Sequence, residues 1–332
     1  MKPKYNTILV TCPGNATTAG PEAIHQLVSD LNRIGAPAAV VYFPFNKKFT
    51  TPEEYKKYQA PVKGYSDNLG DLIIFPEIVT TYALCVKNAD AAIWWMSVNN
   101  FTCERYGNIF RDKFRYFKNL LKGLRPLKGI IALKDLTHYA QSHYAQNFLK
   151  INGITSSFLS DPIPFYTEQS YLASLNLSEF FNRKNLILYN PNKGRKFNQY
   201  LINRFKKYSF FPLQGYNRNE LAEIFLKSKL YIDFGHHPGK DRLPREAAIH
   251  GCCVITGVHG SAQNSFDINI PTQYKIDSKN NNFDELFEIQ VNRIFSSYEE
   301  CSKDFKDYRA TISNEQIEFD KQIIDNFFEK IN

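Results

Sequence analysis

No apolar stretch of this sequence approaches the roughly 20 residues needed to span a bilayer. The N-terminal run Ile8–Val10 is too short even for a signal-peptide core, and Ala89–Val98 falls far short of a span. A soluble, cytoplasmic protein is therefore expected, one that meets a membrane only from outside it. C-x-x-C is absent, and none of the six cysteines (12, 85, 103, 252, 253 and 301) has zinc-ribbon spacing with histidine. They read as reduced core thiols, with Cys252–Cys253 inside a buried strand. No run of five basic residues occurs, although 41 Lys and Arg against 33 Asp and Glu give a net charge of +8. That argues against an electrostatic tail for nucleic acid and leaves solvated surface charge, an anionic membrane surface or a phosphorylated substrate as reasons for the excess. Internal repeats and compositionally disordered blocks are also missing. What is present is 332 residues with 43% hydrophobic composition, enough for two domains, each with its own core.

The pattern along the chain alternates strand and helix, which implies parallel sheets. Thr7–Thr11 is a β-branched apolar run, followed by a Gly-containing loop, Pro13–Gly20. A helix follows at Pro21–Ile34, with Ile24, Leu27, Val28 and Leu31 at helical spacing and Gly35 as its stop. Further strands are expected at Ala38–Phe43, Leu72–Phe75, Ala91–Met96 and Gly129–Leu133, with helices at Thr80–Asn88 and His138–Ile151. The Asp161-Pro-Ile-Pro164 stretch breaks the pattern, and a helix-prone link, Glu168–Lys184, follows. A second series has strands at Leu186–Tyr189, Ser209–Pro212, Leu230–Phe234 and Cys253–Thr256. Its helices are expected at Lys196–Tyr208, Asn219–Lys229 and Pro244–His250. A final amphipathic helix, Asn314–Ile331, shows Ile317, Ile324, Phe327, Phe328 and Ile331 on one face and is expected to cross back to the first domain. The expected architecture is α/β, with two Rossmann-like doubly wound domains facing across a cleft. The first spans 1–165 plus helix 314–331, and the second spans 183–312. Ligands in such sheets bind beyond the carboxyl ends of the strands, so the loop after each strand matters most.

Two such loops in the second half carry anion chemistry. In Tyr189-Asn-Pro-Asn-Lys-Gly-Arg-Lys196, Lys193 and Arg195 flank Gly194 where a helix begins. Backbone N–H groups, the helix dipole and two cations would favour a diphosphate there. The second loop runs from Asp233 to Gly251. Its Gly235 and Gly239 permit close approach of backbone to a ligand, with His236 between them. Lys240, Arg242 and Arg245 gather at the next helix start, and Glu246 in the first turn can accept hydrogen bonds from vicinal hydroxyls such as those of ribose.

The run Tyr231–Gly251, followed by Val254-Ile-Thr256, resembles the nucleotide-sugar segment of GT-B glycosyltransferases, with Leu243-Pro-Arg-Glu-Ala-Ala248 standing for the family's Leu-Pro-x-Glu-Ala. The resemblance covers most of 186–275 and implies that Glu246 holds the donor ribose and that Lys193 and Arg195 grip the diphosphate. One departure is that many members carry a second glutamate seven or eight residues earlier, where this chain has Pro238 and Gly239. The segment Val258–Asp267, with Ile270-Pro271, resembles a loop of some bacterial surface-polysaccharide transferases, those of capsule and lipopolysaccharide assembly.

The first half supplies the acceptor-side and catalytic candidates. Glu22 and His25 are neighbours on the polar side of the first helix, where His25 is a candidate general base. Glu77, after a strand, is a second candidate base. Gly20, Trp94, Trp95 and Asn99 are candidate acceptor contacts, the tryptophans either offering aromatic faces to a sugar ring or, as their apolar run favours, packing in the core. No D-x-D occurs, so no carboxylate pair stands ready to hold a divalent ion on a diphosphate. The His236-His237 pair has no carboxylate or cysteine partner at an obvious spacing, so a metal is not expected there. The cations of the second half would neutralise the leaving diphosphate instead.

Metal-independent glycosyl transfer from a nucleoside diphosphate sugar to a glycan or lipid-linked glycan is the leading expectation, with no cofactor beyond the donor substrate. Peripheral contact with an anionic inner membrane goes with it. A sugar-nucleotide epimerase or hydrolase and a non-catalytic partner of the same fold are the alternatives.

Overall fold

The computed structural model describes residues 1–104, 109–163 and 183–329. The expected linking helix at 168–184 falls largely outside them, and Lys184 opens a strand. The chain divides into two compact units, Met1–Asp161 with Ile317–Asn332, and Pro162–Gln316.

The first unit is built on six strands: β1 (Ile8–Pro13), β2 (Ala38–Phe43), β3 (Leu72–Pro76), β4 (Asp90–Trp95), β5 (Thr137–Ala140) and β6 (Ser157–Phe158). They pair in parallel in the order β2-β1-β3-β4-β5-β6. Its helices are α1 (Ala19–Ile34), α2 (Thr80–Ala83), α3 (Val98–Thr102), α4 (Ile109–Leu121) and α5 (His143–Ile151). Strands β1, β2 and β3 are almost wholly apolar and buried, because both faces of the sheet are covered there. Ile8, Val10 and Cys12 point to one face, with Ile24, Leu27 and Leu31 of α1. Leu9 points to the other, with Ile73, Phe75, Trp95 and Leu149. Gly35 ends α1 at φ 102°, a left-handed conformation that favours glycine.

The expected strand at Gly129–Leu133 is a 3₁₀ turn, and the strand itself lies at Thr137–Ala140, where a helix was expected to start. A short apolar run does not by itself distinguish strand from turn. Here Gly129 adopts φ 61°, which no strand accommodates.

The second unit alternates β7 (Lys184–Tyr189), α6 (Arg195–Arg204), β8 (Ser209–Pro212), α7 (Arg218–Leu226), β9 (Ser228–Asp233), α8 (Arg242–Ile249) and β10 (Cys253–Thr256). Its four strands pair in parallel in the order β10-β9-β7-β8. Asn217 starts α7 with a full capping box, its side chain accepting from Glu220 N while Glu220 accepts from Asn217 N. The helices α9 (Phe283–Ser296), α10 (Tyr298–Lys303) and α11 (Lys306–Ser313) close the unit.

The last helix, α12 (Glu315–Phe327), begins in the second unit and packs on the first. The crossing is as expected, but the packed face differs. Phe319, Ile323, Phe327 and Phe328 are buried, whereas Ile317 is 56% exposed. The expected face had included Ile331, which lies outside the described residues.

Candidate functional site

In the second unit the strand order reverses beside β7, which has β8 on one side and β9 on the other. A crevice opens at such a reversal beyond the strand ends. The loops that follow β7 and β9 flank it, and they touch. A Cβ on Gly194 would stand 3.2 Å from Gly235 Cα, and one on Gly235 would stand 2.4 Å from Lys193 Cγ. Gly235 is thus required for packing between the two loops. The expectation that it makes room for a ligand is replaced by this contact.

Lys193 lies at the centre of the two loops. Its Nζ donates to Asp233 Oδ2 at 2.7 Å and to Asp241 Oδ2 at 2.5 Å. Burial works against its charge, but the two carboxylates outweigh burial and hold its pKa above the ordinary lysine value. Asp233 also accepts from Gly235 N at 3.0 Å and from Tyr231 Oη at 3.3 Å. His237 is fully buried, with Nδ1 2.6 Å from Asp241 Oδ2. Asp241 pays the desolvation of burial, yet Lys193 and His237 hold its carboxyl well below the usual range. The loop after β7 is pinned by Asn198 Nδ2, which donates to the carbonyls of Asn190 and Lys193, each at 2.9 Å.

This cluster corrects two expectations. Carboxylates do accompany the histidine pair, since Asp233, His237 and Asp241 are spaced four apart and their ligand atoms lie within 4.8 Å of one another. The Lys193 ammonium sits among them. Lys193 is also not a spare cation awaiting phosphate, because two carboxylates already hold it.

The other basic residues divide sharply. Arg245 is fully buried; its Nη1 donates to Glu315 Oε2 at 2.7 Å, and its other nitrogens donate to the Asp241 and Lys240 carbonyls. Lys240 Nζ pairs with Glu315 Oε1 at 2.8 Å. Both were expected at the donor, but they tie the start of α8 to the start of α12. Arg195, by contrast, is exposed at the first position of α6. His236 is exposed on the β9 loop, while the Gly239 carbonyl accepts from Ser261 Oγ at 2.6 Å. Glu246 is half-buried on α8, and among the described residues none donates a hydrogen bond to its carboxylate. Its charge is felt by Arg218, the first residue of α7, whose pKa burial lowers to about 10, with Glu246 opposing and Arg242 adding to the fall. Arg242 itself is 9% exposed. Glu246, Arg242 and Arg218 therefore form an electrostatic group. Arg218 was not singled out from sequence, because a lone arginine after a capping asparagine carries no motif.

Two surface cavities of the unit lie away from this group. One, of about 570 Å³, is lined by Lys207, Ser209 and Asn292, and the other, of about 330 Å³, by Thr272, Lys275 and Asp277.

The candidates of the first unit have a different environment. His25 is fully buried, its Nδ1 2.7 Å from the Pro21 carbonyl and its Nε2 2.7 Å from Tyr42 Oη. The Nδ1–H donates to the carbonyl, which leaves Nε2 to accept from the tyrosine. Burial lowers the His25 pKa, against the opposing Pro21 bond. Glu22 is 4% exposed, accepts from Tyr58 Oη at 2.8 Å and pairs with Lys57 at 3.2 Å. Both were expected on an open polar face. The 3₁₀ segment Glu53–Tyr58 covers that face, with the Tyr55 ring 4.8 Å from His25. Glu77 is buried and accepts from Met96 N and Asn100 Nδ2, each at 3.2 Å; burial pushes its pKa up.

Trp94 and Trp95 lie on opposite faces of β4 inside the two cores, and both indole N–H groups are satisfied. Trp94 Nε1 donates to the Leu159 carbonyl at 2.7 Å, and Trp95 Nε1 to His138 Nδ1 at 2.9 Å. They stabilise the fold and present no ring to a sugar. Asn99 is buried too, its Nδ2 3.4 Å from the Glu104 carbonyl. Gly20, half-buried in the first turn of α1, is the most open of the acceptor candidates.

The chain matches no protein-family model and no curated protein by sequence. Solved structures do match in fold. A glycosyltransferase from Rickettsia africae aligns with a TM-score of 0.54 and 14% identity, over 97% of this chain and 100% of the other. The catalytic domain of starch synthase IV from Arabidopsis thaliana, bound to ADP and acarbose, gives 0.54 and 12% over 97% and 100%. Sucrose-phosphate synthase from Thermosynechococcus elongatus gives 0.57 and 12% over 96% and 99%. At such identities the likeness shows the fold, which is of the GT-B type.

Proposed function

We propose that the protein transfers a glycosyl group from a nucleoside diphosphate sugar to a glycan or lipid-linked glycan acceptor, in the synthesis of a bacterial surface polysaccharide and without a metal requirement. The observation that carries this reading is the open carboxylate of Glu246 on α8, with Arg242 one turn before it and Arg218 at the start of α7, in the second unit of a GT-B fold. Glu246 accepts the hydrogens of the ribose diol. Arg195 and the N–H groups that open α6 receive the diphosphate. Positive charge from Arg195, Arg242 and Arg218 stabilises the diphosphate as it leaves. Lys193 sets the spacing of the two loops through Asp233 and Asp241. The ADP in the starch synthase structure is a nucleoside diphosphate of the class proposed here.

Thermal-shift and calorimetric titration with UDP, GDP, ADP, dTDP and CMP, with and without EDTA, tests the reading. One nucleotide is expected to stabilise the protein, with EDTA making no difference. Wild-type affinity in a Glu246→Ala variant would sink the site.

A second reading, a non-catalytic protein that keeps the fold and the donor site, draws on one observation. Glu22, His25 and Glu77, the candidate bases, are all buried and partnered. Donor consumption that rises on adding acceptor glycans excludes it; nucleotide binding with no turnover favours it.

A further inference from the structure

We propose that helix α4 is an interfacial anchor that docks the first unit on an anionic lipid surface. No residue of α4 is buried. Its sequence, Ile-Phe-Arg-Asp-Lys-Phe-Arg-Tyr-Phe-Lys-Asn-Leu-Leu, nevertheless places Phe110, Phe114, Phe117 and Leu121 on one stripe, at spacings of four, three and four. These side chains are 86%, 70%, 56% and 72% exposed. A soluble helix normally turns such a stripe inward. Here the stripe faces away from the unit while other side chains hold the segment down. Asn119 Nδ2 donates to Cys103 Sγ at 3.6 Å, and the Arg125 guanidinium, just beyond the helix, donates to the Glu77 and Asn100 carbonyls.

The charge pattern selects the occupant. Arg111, Arg115, Lys118 and Lys122 repeat the same four-three-four spacing one residue further on, so a basic stripe runs beside the apolar one, with Arg115 turned inward and its Nη1 buried. Lys113 adds a fifth cation, and Asp112 is the only acid between 109 and 122. Aromatic and leucine side chains on one face, with cations of one sign beside them, fit a helix lying in the plane of a bilayer interface. The phenylalanines would enter the acyl boundary while the cations meet anionic headgroups. A protein partner would have to match an apolar stripe and an adjoining row of acids; an anionic membrane supplies both at once. No helix of the described residues is long and apolar enough to cross a membrane, so the contact is peripheral. The proposal is independent of the donor site, which lies in the other unit.

The test is co-sedimentation of the full chain with vesicles of phosphatidylcholine, with and without phosphatidylglycerol. The wild type is expected to partition at least about tenfold more strongly onto the phosphatidylglycerol vesicles and to be released by high salt, since each cation near the surface contributes about fivefold. Lys113→Glu with Lys118→Glu, both exposed, should abolish the preference. Phe114→Ser with Phe117→Ser should weaken binding at least about tenfold on the same vesicles, with an unchanged unfolding midpoint. Equal partition onto both vesicle types, or wild-type binding by both variants, overturns the proposal. It is overturned as well if the phenylalanine variant leaves vesicle binding intact but converts a dimer to a monomer, because the stripe would then seat a second copy.

Discussion

In both halves of the chain, polar and charged residues follow parallel strands or open helices, where ligand chemistry is expected in such folds. In the first unit, Glu22, His25, Glu77 and Asn99 all turned inward and found partners within the unit. In the second, Lys193, Lys240 and Arg245 did likewise, but Arg195 and Glu246 did not. A polar residue at a strand end is thus a candidate ligand group only if its hydrogen-bonding capacity remains unused. Satisfied groups of this kind build the fold, and unsatisfied ones are left for a ligand.

Substitutions on either side of that contrast should behave differently. The largest effect is expected at the satisfied residues. Trp95→Ala empties a core site and removes the bond to His138, costing about 3–5 kcal/mol. Nucleotide affinity should stay at wild-type level, as measured by calorimetry on whatever fraction remains folded. Arg245→Met leaves Glu315 buried with Lys240 and the Ile163 N–H as its partners, and should cost about 3 kcal/mol, read as a lower unfolding midpoint in urea. A loss of nucleotide affinity with unchanged stability in that variant would return Arg245 to the donor site.

An intermediate effect concerns pH. Burial lowers the pKa of His25 and takes that of His250 down to about 4 from the ordinary 6.5. The unfolded chain therefore binds protons near pH 6.5 that the folded chain refuses. Stability is full above that value and falls as pH drops from about 6.5 towards about 4. Unfolding midpoints measured across this window check the sign, and His250→Asn should flatten the slope. The smallest effect on stability is expected at the open residues. Arg195→Ala should change stability by no more than about 0.5 kcal/mol while weakening nucleotide binding about tenfold.

Much of the fold was legible because parallel strands buried on both faces read as unbroken apolar runs. Ala38–Phe43 and Cys253–Thr256, buried along their whole length, have the bounds their composition suggests, and so does Ser209–Pro212, a half-exposed strand at the sheet edge. Thr137–Ala140 did not stand out, because its threonine and histidine dilute the run. Of the site, the Leu-Pro-Arg-Glu-Ala-Ala run located α8 and Glu246. The sequence could not show which cations were already paired. Arg245 is neutralised by Glu315, 70 residues away, and Lys193 by Asp233, 40 residues away. Long-range pairing leaves no local pattern. His25 failed for a related reason. Helical spacing correctly put it opposite Ile24 and Leu27, but spacing is blind to the segment Glu53–Tyr58 that packs over that face.

The measurement closest to the central claim is calorimetric titration of the stabilising nucleoside diphosphate into wild-type protein and the Glu246→Ala variant, with unfolding midpoints taken in parallel. Equal midpoints are expected, with an affinity about tenfold or more weaker in the variant, because a hydrogen bond to a charged group contributes about 1.5–3 kcal/mol. Equal affinities at equal midpoints would contradict it, and would mean that the open carboxylate of α8 is not where the nucleotide binds.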